Sequence, residues 1–439
     1  MTMKKMKHDV PTRLVKVLIL ILMMVAFGFV WYGYYAARAQ VHYYRRGDWV
    51  VILLFGILYY GFCRSYDAFH ISISPISEII YSQTLALIIS DFIMYVVIWL
   101  LSLYMPNAVP LLITFGVQFL ISVLWTFLAH QWYFHNFRPG RTAVIYDLRE
   151  GMESLVGEYG MEKKFHIEKV LGVEECLAKL SVLDEMDTVF LSGIHSHERN
   201  IILKYCMYQD IQVYVIPRIG DVIMGGAKKV HMFHLPMLRI DRYRPIPEYT
   251  IAKRAFDILF SGIAIVIASP FMLVTAIAIK SDGGPALYKQ KRLTKDGKEF
   301  NVLKFRSMRV DAEKDGVARL STGDKDDRIT PVGKIIRKIR FDELPQLFNI
   351  LRGDMSFVGP RPERAYFYGE FEKYIPGFSN RLIVVPGLTG HAQVNGGYSL
   401  KPEEKIIYDM EYIEKRSIWM DLACIGKTIR VVLCGAGAR

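Results

Sequence analysis

Residues 258–279 read ILFSGIAIVIASPFMLVTAIAI. The run is uncharged and long enough to cross the ~30 Å hydrocarbon core of a bilayer, which takes about 20 helical residues. Whether it crosses decides on which side of a membrane everything after it lies. Two features oppose crossing. Lys253 and Arg254 precede the run and Lys280, Lys289 and Lys291 follow it, so both flanks prefer the cytoplasmic side. Near the middle stands Ser269-Pro270, where proline removes a backbone donor and clashes with the preceding turn, while the serine hydroxyl can satisfy a group set free. The expectation is a helix over 254–280 broken at Ser269 and Pro270, entering one leaflet and turning back.

Upstream, four apolar runs fill the first third of the chain: Val17 to Ala37, Trp49 to Cys63, Ser82 to Met105 and Asn107 to Ala129. The first lacks a small-residue cleavage site and is followed by more spans, so it reads as an anchor rather than a cleaved leader. Together they predict a four-helix transmembrane domain over 1–135. Lys4, Lys5, Lys7, Arg13 and Lys16 precede the first span, against Arg38, Arg45 and Arg46 in the first loop and no Lys or Arg in the third. That bias puts the N-terminus, and everything after Ala129, in the cytoplasm. Asp91 lies in mid-span with no basic residue at matching depth, and is read as a polar group satisfied inside the bundle.

Of the 439 residues 52% are hydrophobic, the mean hydropathy is +0.21 and the formal net charge is +12. In a membrane protein this positive excess marks lipid-facing surfaces and sites for anionic ligands rather than nucleic acid. Five cysteines, Cys63, Cys176, Cys206, Cys424 and Cys434, show no metal spacing and read as reduced structural thiols.

From Arg141 onward short β-rich runs (RTAVIYDL, KVLGV, DTVFLSG, IQVYVIP) alternate with helical stretches. They predict a small cytoplasmic, Rossmann-like α/β domain with a parallel sheet over 136–220. The first strand is followed by YDLREG rather than a glycine-rich turn, so the backbone cannot approach a pyrophosphate closely, and a structural or regulatory role is expected. Residues 221–248, ending in proline-bearing RYRPIPEY, read as a linker.

The chemistry-bearing residues lie beyond. PALYKQKRLTKDGKEFNVLKFRSM alternates as paired strands do, with Lys304 and Arg306 bracketing Phe305, and DGVARLSTGDKDDRITPVG reads as a mobile loop. KIIRKIRFDELPQLFNIL then carries Asp342 and Glu343, adjacent acids in a basic stretch. Neighbouring helical residues point about 100° apart, so the two are poorly placed to share a proton. Different roles follow: one a nucleophile or base, the other a ligand of a divalent cation, with Lys304, Arg306 and Arg361 available to neutralise phosphate oxygens. Taken alone, an Asp-Glu pair among arginines is common and reads first as a solvated helix face.

KRAFDILFSG, the Ser-Pro inside the apolar run, KFRSM, DELPQLFNILRGDMSFVGPRPE and PGLTGHAQVNGGY occur in that order from about Tyr249 to the C-terminus. This ordered set resembles the bacterial sugar transferase family, the polyprenyl-phosphate hexose-1-phosphate transferases. Four spans and an α/β domain ahead of that core resemble its large members, which initiate exopolysaccharide, capsule or O-antigen synthesis. The resemblance implies a mixed α/β, monotopic catalytic core over 249–439, anchored by a re-entrant helix hairpin in the bacterial inner membrane. It would move a hexose 1-phosphate from a UDP-sugar to undecaprenyl phosphate and release UMP. It implies a phosphosugar intermediate on Asp342, Mg²⁺ held with the help of Glu343, Arg361 on nucleotide or phosphate, and Lys253 and Arg254 on the lipid phosphate. A homodimer is compatible with it.

Arg340-Phe341 depart from the small hydroxyl residue and leucine frequent before the acids, and His391 replaces an aromatic or aliphatic residue; His391 is read as a surface or packing residue. Ile418, Leu422, Ile425, Ile429 and Leu433 share a face of the last helix, which is expected at the inner leaflet. Two alternatives keep their own signatures. A processive glycosyltransferase would show separated acidic motifs in its α/β domain, and a non-catalytic scaffold would lack UMP release.

Overall fold

The computed structural model describes residues 3–39, 46–102, 104–147, 151–240, 247–281, 283–309, 328–396 and 400–433. The chain divides into two compact units, Met1–Ile216 and Pro217–Arg439. The first begins with α1 (Met3–Val30), which runs on through a π-helical turn at Trp31–Tyr35, followed by α2 (Arg46–Ser65), α3 (Ile76–Leu101) and α4 (Val109–Asn136). All four are long and apolar enough to cross a membrane. Sequence neighbours pack on one another, and α4 returns to α1.

The bundle interior is partly polar. Thr114, Gln118, Ser122 and Thr126 repeat every fourth residue along the buried face of α4, and Ser122 donates to Gln83 Oε1 on α3 at 2.5 Å. Asp91 departs from expectation: both its carboxylate oxygens are buried without a hydrogen-bond donor among the described residues. α3 carries no cation at its depth, and the polar residues of α4 spend their hydroxyls on their own backbone or on Gln83.

The same unit continues with β1 (Gly140–Tyr146), α5 (Met152–Glu158), β2 (Phe165–Gly172), α6 (Val173–Ala178), β3 (Thr188–Ser192), α7 (Ser196–Tyr208) and β4 (Gln212–Val215). The sheet is wholly parallel in the order β2-β1-β3-β4. Alternating residues of β1 face opposite layers. Ala143 and Ile145 join α6 and α7, while Val144 joins α5.

In the second unit, the segment expected as a linker is ordered: α8 (Ile219–Gly226) packs Ile219, Val222 and Ile223 onto a core cluster, and β5 (Lys228–Met232) pairs with β6 (Leu235–Arg239) as a hairpin. The disfavouring prolines lie further on, and residues 241–246 are outside the described set. Then follow α9 (Pro247–Lys280), the antiparallel pair β7 (Leu287–Leu293) and β8 (Glu299–Phe305), α10 (Pro331–Lys338), α11 (Gln346–Arg352), β9 (Ser356–Val358) and α12 (Ala365–Glu372). β10 (Gly387–Thr389), α13 (His391–Asn395), α14 (Pro402–Lys415) and α15 (Ile418–Leu433) complete it. Of the stretch read as a mobile loop, residues 315–327 lie outside the described residues, as does Cys434, while residues 331–333 open α10; the other four cysteines are buried and unpaired.

α9 is helical from Pro247 to Lys280, with Pro270 inside it. The Val266 carbonyl, which a proline four residues later cannot serve, accepts instead from Ser269 Oγ at 2.8 Å. One side of α9 lies on the core through Ala264, Ile265, Met272 and Ala276, while Ile258, Ile263, Val266, Ile267, Phe271 and Val274 face outward and exposed. Both ends are tied to the same fold. Arg254 donates to the Ile350 and Leu351 carbonyls at 2.7 and 2.8 Å, and Arg306 to the Ile279 carbonyl at 3.0 Å. α15 packs through Met420, Cys424 and Ile425 and leaves Ile418, Trp419 and Ile429 exposed.

Candidate active site

The adjacent acids sit between two helices and not on one. Thr330 caps α10, its side chain accepting from Gly333 N at 2.9 Å, and the helix ends at Lys338, two residues before Arg340, whose φ of 60° turns the chain through the left-handed region. A single 3₁₀ turn, Phe341–Glu343, then leads to Pro345 and α11. Residues in such a turn point roughly 120° apart, so the two carboxyls face different surroundings.

Asn349 fixes this turn against β8. Its Oδ1 accepts from Leu303 N at 3.0 Å and its Nδ2 donates to Asn301 O at 2.9 Å, so the amide pairs with the strand edge as a peptide group would. Lys304, the next residue on that strand, is thereby brought to Glu343: Nζ to Oε1 is 2.9 Å. From the other side Arg361 Nη2 reaches the same oxygen at 3.3 Å. Burial works against the charge on Glu343, yet Lys304 and Arg361 hold its carboxyl well below the usual range. Asp342 moves the other way. Burial, and then the charge of Glu343, push its carboxyl up against the pull of Lys304, Arg337 and Arg340. The two acids are set apart electrostatically, one clamped as an anion and one with a raised proton affinity.

Arg361 reaches the site because β9 and β10 pair in parallel and bring the GPRP and PGLTG motifs together. The approach leaves no room for side chains: a Cβ on Gly387 would stand 2.1 Å from Gly359 N. The resulting cleft is lined by Arg292, Lys304, Gln346, Arg361, Gly387 and Leu388.

The structure brings Asp342, Glu343, Lys304 and Arg361 together and places the other expected residues elsewhere. Arg306 lies past the end of β8, buried, with its guanidinium on the Ile279, Gly283 and Pro285 carbonyls at 3.0, 2.5 and 3.0 Å. Arg254 caps the last carbonyls of α11, and Lys253 forms an ion pair with Asp421 of α15 at 2.8 Å. Ser269 and Pro270 are within the long helix. His391 stands beside Glu411 at 3.4 Å and Tyr408, as a packing residue does.

Sequence reasoning missed Arg292 and Gln346 in the cleft and a set of charges behind it. Glu363 pairs with Arg292 at 3.2 Å and with Lys405, and Arg381 pairs with Asp409 at 2.6 Å, both fully buried. The available signal was the helical spacing of Lys405, Asp409 and Tyr412, polar residues on the inward face of α14.

The region holding all these residues, 248–435, matches the family model described as bacterial sugar transferase. Among characterised relatives of this sugar transferase region is the UDP-N-acetylgalactosamine-undecaprenyl-phosphate N-acetylgalactosaminephosphotransferase of Aeromonas hydrophila, 43% identical over 241 residues, 54% of this chain and 56% of the relative. The undecaprenyl-phosphate galactose phosphotransferase of Salmonella typhimurium is 38% identical over 241 residues, 52% of this chain and 50% of that one. The UDP-glucose:undecaprenyl-phosphate glucose-1-phosphate transferase of Escherichia coli is 36% identical over 212 residues, 47% and 44% respectively. The chain thus spans about half the length of the curated relatives it matches.

Proposed function

We propose that this chain transfers a sugar 1-phosphate from a UDP-sugar to undecaprenyl phosphate, releasing UMP, and so initiates a surface polysaccharide. The observation that carries the reading is the Asp342-Glu343 turn, where Glu343 is clamped by Lys304 and Arg361, two of the residues that line the cationic cleft, and Asp342 is its chain neighbour. Asp342 attacks the phosphorus bonded to the sugar, UMP leaves, and the lipid phosphate then attacks the same phosphorus and frees Asp342. Dividing the transfer lets one phosphate-binding cleft serve a water-soluble and a membrane-bound substrate in turn.

The donor set suits Mg²⁺ shared with substrate. Glu343 is a carboxylate kept charged by Lys304 and Arg361, the kind of oxygen donor such a cation takes beside phosphates and water. Glu343 would hold it, and it would offset charge on the phosphates. Lys304, Arg361 and Arg292 bind and orient the same oxygens.

The membrane reading is a monotopic anchor on the cytoplasmic face of the inner membrane. Its support is that α9 is fastened at both ends to one fold and exposes an apolar side along its middle. The test is UMP release by purified protein with Mg²⁺ and undecaprenyl phosphate across a panel of UDP-sugars, with wild type and Asp342→Asn. The expected outcome is release with one donor and at least a thousandfold loss, roughly, in the variant. Full activity of Asp342→Asn would overturn the nucleophile, and no release by wild type with any donor would overturn the function.

A further inference from the structure

The sharpest unused feature is a polar stripe on α14. Lys405, Asp409 and Tyr412 fall at i, i+4 and i+7, one above another on a helix. They meet the short segment 358–363, which carries Arg361, at three successive points. Lys405 pairs with Glu363. Asp409 holds the fully buried Arg381 at 2.6 Å, and Arg381 Nη2 donates to the Arg361 carbonyl at 3.0 Å. Tyr412 Oη donates to the Val358 carbonyl at 3.1 Å and lies 2.8 Å from Asp421 Oδ1.

Pro360 and Pro362 have no N–H to offer. The rest of the segment's backbone is held from β10, where Gly359 N donates to Thr389 O and Gly387 N to Pro360 O, and from β7, where Leu293 N donates to Glu363 O, while the Arg361 carbonyl is met by Arg381 of the α14-side set. Charged groups as deeply buried as Arg381 and Asp409 are a costly way to fill a core, and they are kept where geometry matters.

We propose that the Lys405-Asp409-Tyr412 stripe, with Arg381, is a positioning element that fixes the backbone of 358–363 so that the Arg361 guanidinium reaches Glu343 and the cleft. This rests on the transfer reading above. None of the four touches substrate; they act through Arg361, on which their effect depends.

That dependence is what the experiment reads. UMP release is measured for full-length Tyr412→Phe and Arg381→Lys, each made in wild type and in Arg361→Lys, with thermal unfolding followed in parallel. In the wild-type background each should lower kcat/KM about tenfold, the size of a coupling between residues in contact. In Arg361→Lys the same change should cost less than about twofold, because the group it positions is already lost. Equal losses in both backgrounds, tracking the fall in unfolding temperature, would make the stripe structural only and overturn the proposal. If Tyr412→Phe does not fold, Arg381→Lys decides the question, since it keeps the charge beside Asp409 and alters the fork that reaches Arg361. A wild type inactive toward every UDP-sugar would instead fail the transfer reading and is distinguishable on that ground.

Discussion

At the scale of single residues, the acids of the 342–343 turn are told apart by what surrounds them. Glu343 is fixed as an anion by two cations, whereas Asp342 is pushed upward by burial and by that neighbouring charge. A nucleophile must be deprotonated, so activity should fall on the acid side as pH drops through the raised pKa of Asp342, at a higher pH than an ordinary aspartate would give. Arg337 on α10 is one of the charges that lower it. Arg337→Gln should therefore move the acid limb of kcat/KM to higher pH, with the plateau little changed. A limb that stays in place would show that another group titrates. Arg306 shows why sequence spacing misled here. It stands two residues from Lys304, but the strand ends at Phe305 and the guanidinium is consumed by the Ile279 carbonyl at the end of α9 and two carbonyls of the turn after it. Arg306→Ala should accordingly lower the stability, by about 2 kcal/mol or more for three lost charge-assisted hydrogen bonds in a buried site, and the unfolding temperature with it, rather than act on substrate KM alone.

At the scale of elements, what was legible and what was not follows from the range of the signal. A membrane helix needs an unbroken apolar run, and a parallel sheet needs alternating strands and helices, so α1 to α4, β1 to β4 and the β7-β8 pair could be read locally. The grip of α14 on 358–363 runs through pairs such as Arg381–Asp409 and Glu363–Lys405, far beyond any helical or strand period, and no local period reports which partner a buried charge has found. Glycines follow the same logic. Gly387 and Gly359 are in backbone contact, so Gly387→Ala should cost about 3 kcal/mol or more by overpacking and abolish transfer, while Gly225→Ala in α8, with open space around it, should leave both unchanged. α9 allows a direct test of how it meets the membrane. In sealed vesicles of known orientation, Glu248→Cys and Ser281→Cys in a Cys434→Ser background should react with an impermeant maleimide from the same face, because both helix ends are bound to one fold. Labelling from opposite faces would make α9 a fifth span.

At the scale of the whole molecule, the boundary between the two units carries the last prediction. The family match begins at residue 248, and sequence alone puts the catalytic region's start at Tyr249, after a linker. The compact unit that holds this region begins further upstream, at Pro217. α8 sets Ile219, Val222 and Ile223 against the cluster that contains Tyr368, Phe378, Ile406 and Met410, on the same α14 whose opposite contacts hold the Arg361 segment. Removing α8 exposes that cluster. Three half-buried aliphatic side chains, at about 1.5–3 kcal/mol for full burial of each, amount to roughly 3 kcal/mol, a large share of the stability of an ordinary domain. A fragment of residues 217–439 should therefore keep UMP release and an unfolding temperature close to that of the same unit in the full chain. A fragment of residues 249–439 should unfold at a temperature several degrees lower and lose activity in proportion. Both fragments retain Asp342, Glu343, Lys304 and Arg361, so equal activity and stability would show that α8 contributes nothing to the core, and inactivity of a folded 217–439 would show that the membrane bundle or the parallel-sheet domain is needed for transfer.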